Sequence, residues 1–153
     1  MRTNLHHLLE HRARSHPDSP ALVYKNAELS YAEVWDISDR VAAGLRRIGL
    51  GRSSRVAVFL EKRIETVAAI FGTSAAGGVF VPINPLLRAQ QVGYILRDCD
   101  VQVLVTSPER LALLGEELAS SPSVTHVVVL GAILQPPESG ISVETLTWDR
   151  LIQ

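Results

Sequence analysis

Four short runs of β-branched and other apolar residues recur at nearly constant intervals, and this spacing constrains the fold more than any other feature. The runs begin at Val56, Val79, Val101 and Val124, so successive runs start 23, 22 and 23 positions apart. Such an interval holds one strand, a helix of roughly three or four turns and two short loops, which is the length of a βαβ crossover. Because the runs are nearly continuous rather than alternating, we expect strands covered on both faces. The spacing predicts an α/β fold: a mainly parallel sheet with right-handed helical crossovers, its βα repeats spanning residues 56–130.

The segments between the runs carry signals for the ends of helices. Residues 64–76 are rich in alanine with apolar residues at helical spacing, and Gly77-Gly78 follows as a stop signal. Asn84-Pro85 and Ser107-Pro108 each place a capping side chain before a proline at the first helical position. We therefore expect a helix after each of these pairs.

Residues 1–55 predict a different local structure, made of a helix, a hairpin and a second helix. A short helix is expected over residues 4–14, with Leu5, Leu8 and Leu9 on its buried side. A hairpin is expected around residues 25–27, with Asn26 suited to a positive φ.

Ser30 and Glu33 form a capping-box pattern that opens the second helix, which extends to about Ile48 and stops at Gly49. Residues 131–153 carry proline and glycine without a clear period, so a loop with a short turn at 148–152 is expected. We interpret residues 1–153 as a single α/β domain.

Composition and charge exclude several function classes. The chain of 153 residues has 15 Lys and Arg against 16 Asp and Glu, which leaves a net charge of −1 and no basic footprint for nucleic acid. One cysteine, Cys99, cannot form an internal disulfide. The N-terminus lacks the apolar run of a signal peptide, and no apolar stretch approaches the ~20 residues that span a bilayer. We expect a cytoplasmic protein.

Three motifs match patterns found in catalytic or ligand-binding sites, but a structural role explains each of them better. His7-Leu8-Leu9-Glu10-His11 matches a zinc-peptidase pattern, but no further acidic ligand follows, so these histidines, like His6 and His16, are interpreted as solvent-facing. The glycines of residues 72–78 close a helix instead of opening one, which is the wrong polarity for a phosphate loop. Acidic neighbours make Cys99 a poor nucleophile. No catalytic residue and no metal ligand is assigned.

Several segments, read in order, resemble the N-terminal region of the AMP-forming acyl-CoA synthetases and related adenylate-forming enzymes. The match covers about residues 4–130, and each landmark lies in the family's order. The landmarks are the Pro-Asp-x-x-Ala pattern of residues 17–21, residues 29–34 with 41–45 and Gly49, residues 55–58 leading to 74–85, and residues 96–100 with 103–106. Within the CoA ligases, the chain resembles the group associated with exosortase and exopolysaccharide systems.

The resemblance implies part of the large N-terminal domain of an enzyme that activates a carboxylic acid with ATP and Mg²⁺ and passes the acyl group to coenzyme A. Asn84-Pro85 is more like the fatty-acyl and aryl CoA ligases, since peptide-synthetase adenylation domains usually show an aspartate there. The family's loop Thr-Ser-Gly-x-Thr-Gly-x-Pro-Lys does not occur in this sequence. We therefore expect a fragment of a longer ligase that is inactive alone, binds no cofactor alone and self-associates through exposed apolar surface.

The resemblance also implies a peripheral role for two arginines. In some acyl-CoA synthetases, arginines just after the strand that corresponds to residues 101–105 contact the nucleotide phosphates of coenzyme A. Arg110 falls near that place and Arg88 lies in the preceding loop-to-helix region. Guanidinium groups suit phosphate because their donors match two oxygens at once. Two alternatives remain: a free-standing α/β binding or interaction module, and an adenylation domain that loads a carrier protein.

Overall fold

The computed structural model describes residues 4–133 and 143–153. The helices are α1 (Leu5–Ser15), α2 (Tyr31–Arg47), α3 (Ile64–Ala75), α4 (Ala89–Asp98), α5 (Pro108–Ala112), α6 (Gly115–Ala119) and α7 (Trp148–Leu151). The strands are β1 (Pro20–Tyr24), β2 (Ala27–Ser30), β3 (Arg55–Phe59), β4 (Val79–Pro82), β5 (Val101–Thr106), β6 (His126–Val129) and β7 (Glu144–Thr147). Within these residues, no helix is both long and apolar enough to traverse a lipid bilayer.

The four apolar runs form a parallel sheet, as their spacing predicts. The sheet has five strands in the order β4-β3-β5-β6-β7, and every neighbouring pair is parallel. The strand of the last run begins at His126, two residues after the run itself. The expected α/β fold class is confirmed.

Helices cover both faces of this sheet, which explains why its strands are apolar on both sides. On one face, α2, α3 and α7 pack against alternate strand residues such as Val56, Val58 and Val105. On the other face, α4, α5 and α6 pack against Ala57 and Leu104, among others. Strands β3, β5 and β6 therefore supply side chains to two separate cores.

The N-terminal elements form as predicted, except that a different residue of the hairpin turn has the positive φ. Strands β1 and β2 pair antiparallel, and the residue with positive φ in their turn is Lys25 (54°), not Asn26. A two-residue hairpin turn in which the first central residue is left-handed matches the twist of the flanking strands. The Ser30 hydroxyl accepts from the Glu33 N–H at 3.3 Å, and the Glu33 carboxylate accepts from the Ser30 N–H at 2.7 Å, so the capping box is present.

The helix expected directly after Asn84-Pro85 begins later. The Asn84 Oδ1 atom accepts from the Leu86 N–H at 3.0 Å, which closes a local turn in place of a helix cap. The helix α4 starts at Ala89, where the Gln91 side chain accepts from the Arg88 N–H at 3.0 Å. By contrast, Pro108 is the first residue of α5, as predicted.

The C-terminal part holds a strand that the sequence did not predict. Residues 144–147, expected as loop, form β7 and pair in parallel with β6. The strand is short and lies at the edge of the sheet, so its apolar signal is reduced to the buried Leu146. The expected terminal turn is present as α7, while the rest of the expected loop, 134–142, lies outside the described residues.

Two expectations about α1 are wrong. Leu8, assigned to the buried side, is 59% exposed, whereas Leu9 and Ala13 are buried. His6 is not simply solvent-facing, because its Nδ1 atom lies 3.0 Å from the Ser74 hydroxyl of α3. The helix α1 is therefore rotated about its axis relative to the expected orientation, and His6 connects its first turn to α3.

The helices α2 and α3 approach closely at Gly72. A Cβ atom at this position would lie 2.6 Å from Val41 Cβ and 2.7 Å from the Ser38 carbonyl oxygen, both close to the α2 backbone. Glycine is needed here because neither atom can move without shifting the helix.

We predict that Gly72→Ala lowers the free energy of unfolding by about 1–3 kcal/mol through overpacking. Gly115→Ala is the matched control: it adds the same methyl group to a helical glycine with no atom within 4 Å, and should leave stability equal or slightly higher. Urea unfolding followed by circular dichroism measures both variants. Equal stability of the two would contradict this account of the helix contact.

We also predict that His6 makes stability depend on pH. The pKa of His6 lies below its usual value of 6.5, first because burial disfavours the charged ring and then because His7 repels it. Between the two pKa values the unfolded chain binds more protons than the folded chain, so the free energy of unfolding falls as pH drops below about 6.5. His6→Gln should flatten this dependence between about pH 7.5 and about pH 5.5, a window that brackets the ordinary histidine pKa.

Urea titrations at several pH values measure this effect. His11→Gln, on the exposed side of the same helix, is the control for loss of a histidine from α1. A pH dependence that is the same in His6→Gln as in the original chain would contradict the assignment.

Candidate functional site

The carboxyl edge of the sheet has a topological switch point between β3 and β5, the position at which open parallel sheets form a crevice. These two strands are adjacent, but α3, which follows β3, covers one face, and α5, which follows β5, covers the other. The two connections therefore leave the edge in opposite directions. In open parallel sheets, ligands bind in the crevice at such a switch point.

A hydrogen bond across the two strands defines the floor of this crevice. The buried Thr106 hydroxyl, at the end of β5, donates to the Phe59 carbonyl oxygen at 3.0 Å, at the end of β3. Because this bond ties the strand ends together, the loops that follow them start from fixed positions. Glu61 lies in the connection after β3, and Arg110 lies in α5, which begins two residues after the end of β5.

Arg110, predicted as a phosphate-binding residue, lies in this crevice. Its side chain is only 19% exposed, and its guanidinium carbon lies 5.3 Å from the centre of the Phe59 ring. The Nη1 atom donates to the Glu61 carboxylate at 3.3 Å. The Nε atom is buried and has no hydrogen-bond partner among residues 4–133 and 143–153.

This arrangement suits an anion. A guanidinium held over an aromatic face is oriented and partly shielded from water, which strengthens its interaction with a negative charge. An unpaired buried N–H costs free energy, and an oxygen ligand would relieve that cost. The residues present therefore fit a phosphate group.

A second ion pair lies beside the crevice, between Arg63 and Glu65. The Nε and Nη2 atoms of Arg63 donate to the two Glu65 oxygens at 2.7 and 3.0 Å. Burial raises the pKa of Glu65, but the hydrogen bonds from Arg63, a hydrogen bond from the backbone and the charge of Arg63 together outweigh it, so the pKa of Glu65 lies below its usual value. The same contact raises the pKa of Arg63. Both groups stay charged at neutral pH and satisfy each other.

Arg88, the other predicted residue, lies at the same edge of the sheet but one strand away. It is exposed and precedes the first residue of α4, in the connection that follows β4. Arg88 follows β4 and Arg110 follows β5, and β3 lies between these two strands. The structure pairs Arg110 with Glu61 and shows no contact between Arg88 and either of them within the described residues.

Sequence reasoning missed Glu61, the partner of Arg110. The two residues lie 49 positions apart, and nothing in either segment indicates the contact. A signal existed only in the fold class, because residues that follow adjacent parallel strands meet at one edge. That β3 and β5, which are not consecutive, are adjacent became known only from the structure.

The histidines and the cysteine do not add a metal site. The Nδ1 atom of His7 accepts from the Asn4 N–H at 3.1 Å, while His11 is exposed. Cys99 is half-buried and ends α4, away from the crevice at the opposite edge of the sheet. Within the described ranges, no three His, Cys, Asp or Glu residues are grouped as metal ligands would be.

Comparison with known proteins identifies the family to which the chain belongs. A family model described as AMP-binding enzyme matches residues 9–148. Nonribosomal peptide synthetase 7 from Gibberella zeae is 32% identical over 138 residues, which are 89% of this chain and 3% of that protein. Tyrocidine synthase 3 from Brevibacillus parabrevis is 32% identical over 118 residues, which are 77% of this chain and 2% of that protein.

A solved structure of an adenylate-forming ligase has the same fold as this chain. The crystal structure of the anthranilate CoA ligase AuaEII, in complex with anthranoyl-AMP, superposes with a TM-score of 0.85 at 27% identity. That superposition covers 98% of this chain and 28% of the ligase chain, so the present chain spans only a small part of each of these relatives. Since the family model matches most of its length, the chain belongs to the AMP-binding family of adenylate-forming enzymes.

Proposed function

We propose that this chain is the N-terminal part of an AMP-forming acid–CoA ligase. Such an enzyme joins a carboxylic acid to AMP with release of pyrophosphate, and the coenzyme A thiol then displaces AMP to form a thioester. The observation that carries the proposal is the half-shielded Arg110 in the switch-point crevice, with a buried N–H that has no partner in the described part of the chain. The likeness to a CoA ligase over nearly the whole chain supports it.

In this proposal the 153 residues act as a scaffold that presents one phosphate-binding surface. Arg110 binds a phosphate of the coenzyme A nucleotide, and Arg88 contributes from the border of the same edge. The chain forms a single α/β unit of a larger domain, because it covers 28% of the ligase chain with which it superposes. We further propose a fatty or aryl acid as the substrate and the cytoplasm as the location, where ATP and coenzyme A are available.

The residues of this chain that face the crevice do not form a magnesium site in the described ranges. The family's reaction uses ATP with Mg²⁺, which would neutralise charge on the phosphates. Within the described residues the acidic groups of the crevice, Glu61 and Glu65, are each paired with an arginine, and no cluster of three ligands is present. We therefore assign no magnesium ligand to these residues.

A second candidate function is an adenylation domain that passes its acyl group to a carrier-protein thiol. The peptide synthetases among the relatives, at 32–37% identity, favour this candidate. The two candidates differ at the crevice, since a carrier protein brings a thiol arm without the adenosine nucleotide. Asn84, whose side chain caps the turn after β4, is the residue that points back to the CoA ligases.

We predict that Arg110→Gln weakens binding of adenosine 3′,5′-bisphosphate, the nucleotide part of coenzyme A, by roughly tenfold or more, because a hydrogen bond to a charged group contributes about 1.5–3 kcal/mol. Isothermal titration of the purified chain at low salt measures this, and measurable binding would correct the expectation that the fragment binds no cofactor alone. Arg40→Gln, an arginine on the exposed surface of α2, is the matched control and should bind as the original chain does. Equal affinity of the Arg110 and Arg40 variants would favour the carrier-protein candidate.

We predict that the chain alone catalyses no acid-dependent ATP–pyrophosphate exchange. Positioning and electrostatic stabilisation of the phosphates supply most of the rate of such reactions, and the family's Gly/Ser/Thr-rich loop with its lysine is not in this sequence. Labelled pyrophosphate incorporation with a panel of fatty and aryl acids measures the activity. Exchange above the background without protein would overturn the scaffold interpretation.

We also predict self-association of the isolated chain. Val23, Leu86 and Leu113 are each more than two-thirds exposed, at 67%, 88% and 70%. Exposed apolar side chains of this size favour association when the surface that should cover them is missing. Size-exclusion chromatography with light scattering should show a mass above 16.7 kDa that falls on dilution. A monomer at all concentrations would contradict this prediction without affecting the assignment of the crevice.

A further inference from the structure

The ion pair between Arg110 and Glu61 has an unusual distribution of exposure. The Arg110 side chain is 19% exposed, whereas the Glu61 side chain is 68% exposed. The carboxylate therefore lies on the solvent side of the pair. A ligand that approaches Arg110 from solvent meets Glu61 first.

The pair is also incomplete. Glu61 accepts from the Nη1 atom alone, at 3.3 Å, although a carboxylate can accept two parallel bonds from a guanidinium. The Arg63–Glu65 pair in the same region shows that fuller form, with distances of 2.7 and 3.0 Å. The Arg110 Nε atom has no partner in the described part of the chain. Glu61 is thus held near Arg110 but leaves some of the N–H donors of the Arg110 guanidinium unused.

We propose that Glu61 is a displaceable counter-anion that sets the affinity of Arg110 for phosphate. This inference rests on the proposed function of the crevice as a phosphate site. A phosphate that reaches Arg110 must replace the carboxylate or tolerate its charge at close range. Both routes weaken binding, because like charges a few ångströms apart repel. Glu61 therefore lowers the affinity for any single phosphate and favours ligands with enough further contacts to displace it.

The contacts of Glu61 allow its side chain to leave Arg110 while its main chain stays fixed. Its carbonyl oxygen accepts from the Thr66 hydroxyl at 2.6 Å, which fixes the main chain of the connection after β3. Its side chain is free in solvent apart from the single contact with Arg110 that the structure records. The carboxylate can move while the main chain stays in place. Arg110, packed over Phe59, stays oriented as Glu61 leaves.

The test compares Glu61→Gln with the original chain, with adenosine 3′,5′-bisphosphate as the probe. We expect the Glu61→Gln variant to bind the probe about three- to fivefold more tightly at low ionic strength, consistent with the modest strength of exposed ion pairs. The gain should shrink as salt is added, because screening weakens the removed repulsion. Unchanged or weaker binding would overturn the proposal, and so would an affinity too low to measure in both proteins.

Asp98→Asn is the matched control, since it removes one negative charge from an exposed residue at the opposite edge of the sheet. An equal gain in Asp98→Asn would mean that net charge alone is responsible, which would overturn the role of Glu61. Thermal unfolding of all variants confirms that each is folded.

A double-mutant cycle separates this inference from the proposed function. In an Arg110→Gln background, the additional change Glu61→Gln should produce little of the gain that it produces alone, because the two residues act on the same ligand. If Arg110→Gln weakens binding but Glu61→Gln has no effect, the phosphate site stands and the counter-anion proposal fails. If Arg110→Gln leaves binding unchanged, the phosphate site itself fails, and the inference fails with it.

Discussion

The parallel pairing of β3 with β5 is the constraint on which the rest of the structure depends. The two strands are not consecutive, so β4 lies on one side of the pair and β6 and β7 lie on the other. Their side chains alternate between two cores, and the central residues Val56, Ala57 and Leu104 are fully buried. The buried hydrogen bond between Thr106 and Phe59 holds their carboxyl ends together. The crevice is a direct consequence of this pairing.

Close helix packing holds the N-terminal and C-terminal parts of the chain on one face of the sheet. Gly44 of α2 lies against the backbone of Leu151, so α7 rests on α2 without an intervening side chain. The Arg47 guanidinium donates to the carbonyl oxygens of Arg150 and Leu151, each at 3.0 Å. These carbonyls lie at the end of α7, where a helix leaves them without internal partners. A short terminal helix is therefore stabilised by a residue more than a hundred positions away.

Electrostatics at the carboxyl edge follow from how the charges are paired. Arg63 and Glu65 satisfy each other through two short hydrogen bonds, so they contribute little net field. Arg110 is paired through one longer bond to an exposed carboxylate, and its Nε atom has no partner in the described ranges. Two arginine–carboxylate pairs in one region thus have different capacities to receive an anion. The difference arises from geometry and burial, since the residue types are the same.

The sequence by itself determined the repeating elements and the class of fold. The regular spacing of the apolar runs and the capping box of Ser30 and Glu33 are signals contained in short segments, and both are present in the structure. The same locality explains the errors. Asn84 forms a turn instead of a helix cap, Leu8 faces solvent, and the edge strand β7 has too little apolar character to stand out.

The tertiary structure decided the strand order and, with it, the candidate site. From the sequence, Arg110 was a candidate through resemblance alone, and Glu61 was not a candidate at all. The contact between them depends on which strands are adjacent, and strand adjacency is set by the packing of helices on the two faces, which no short segment encodes. His6 shows the same limit, because its contact with Ser74 depends on the rotation of α1 against α3. Local residue patterns determined the elements, and long-range packing determined which side chains meet.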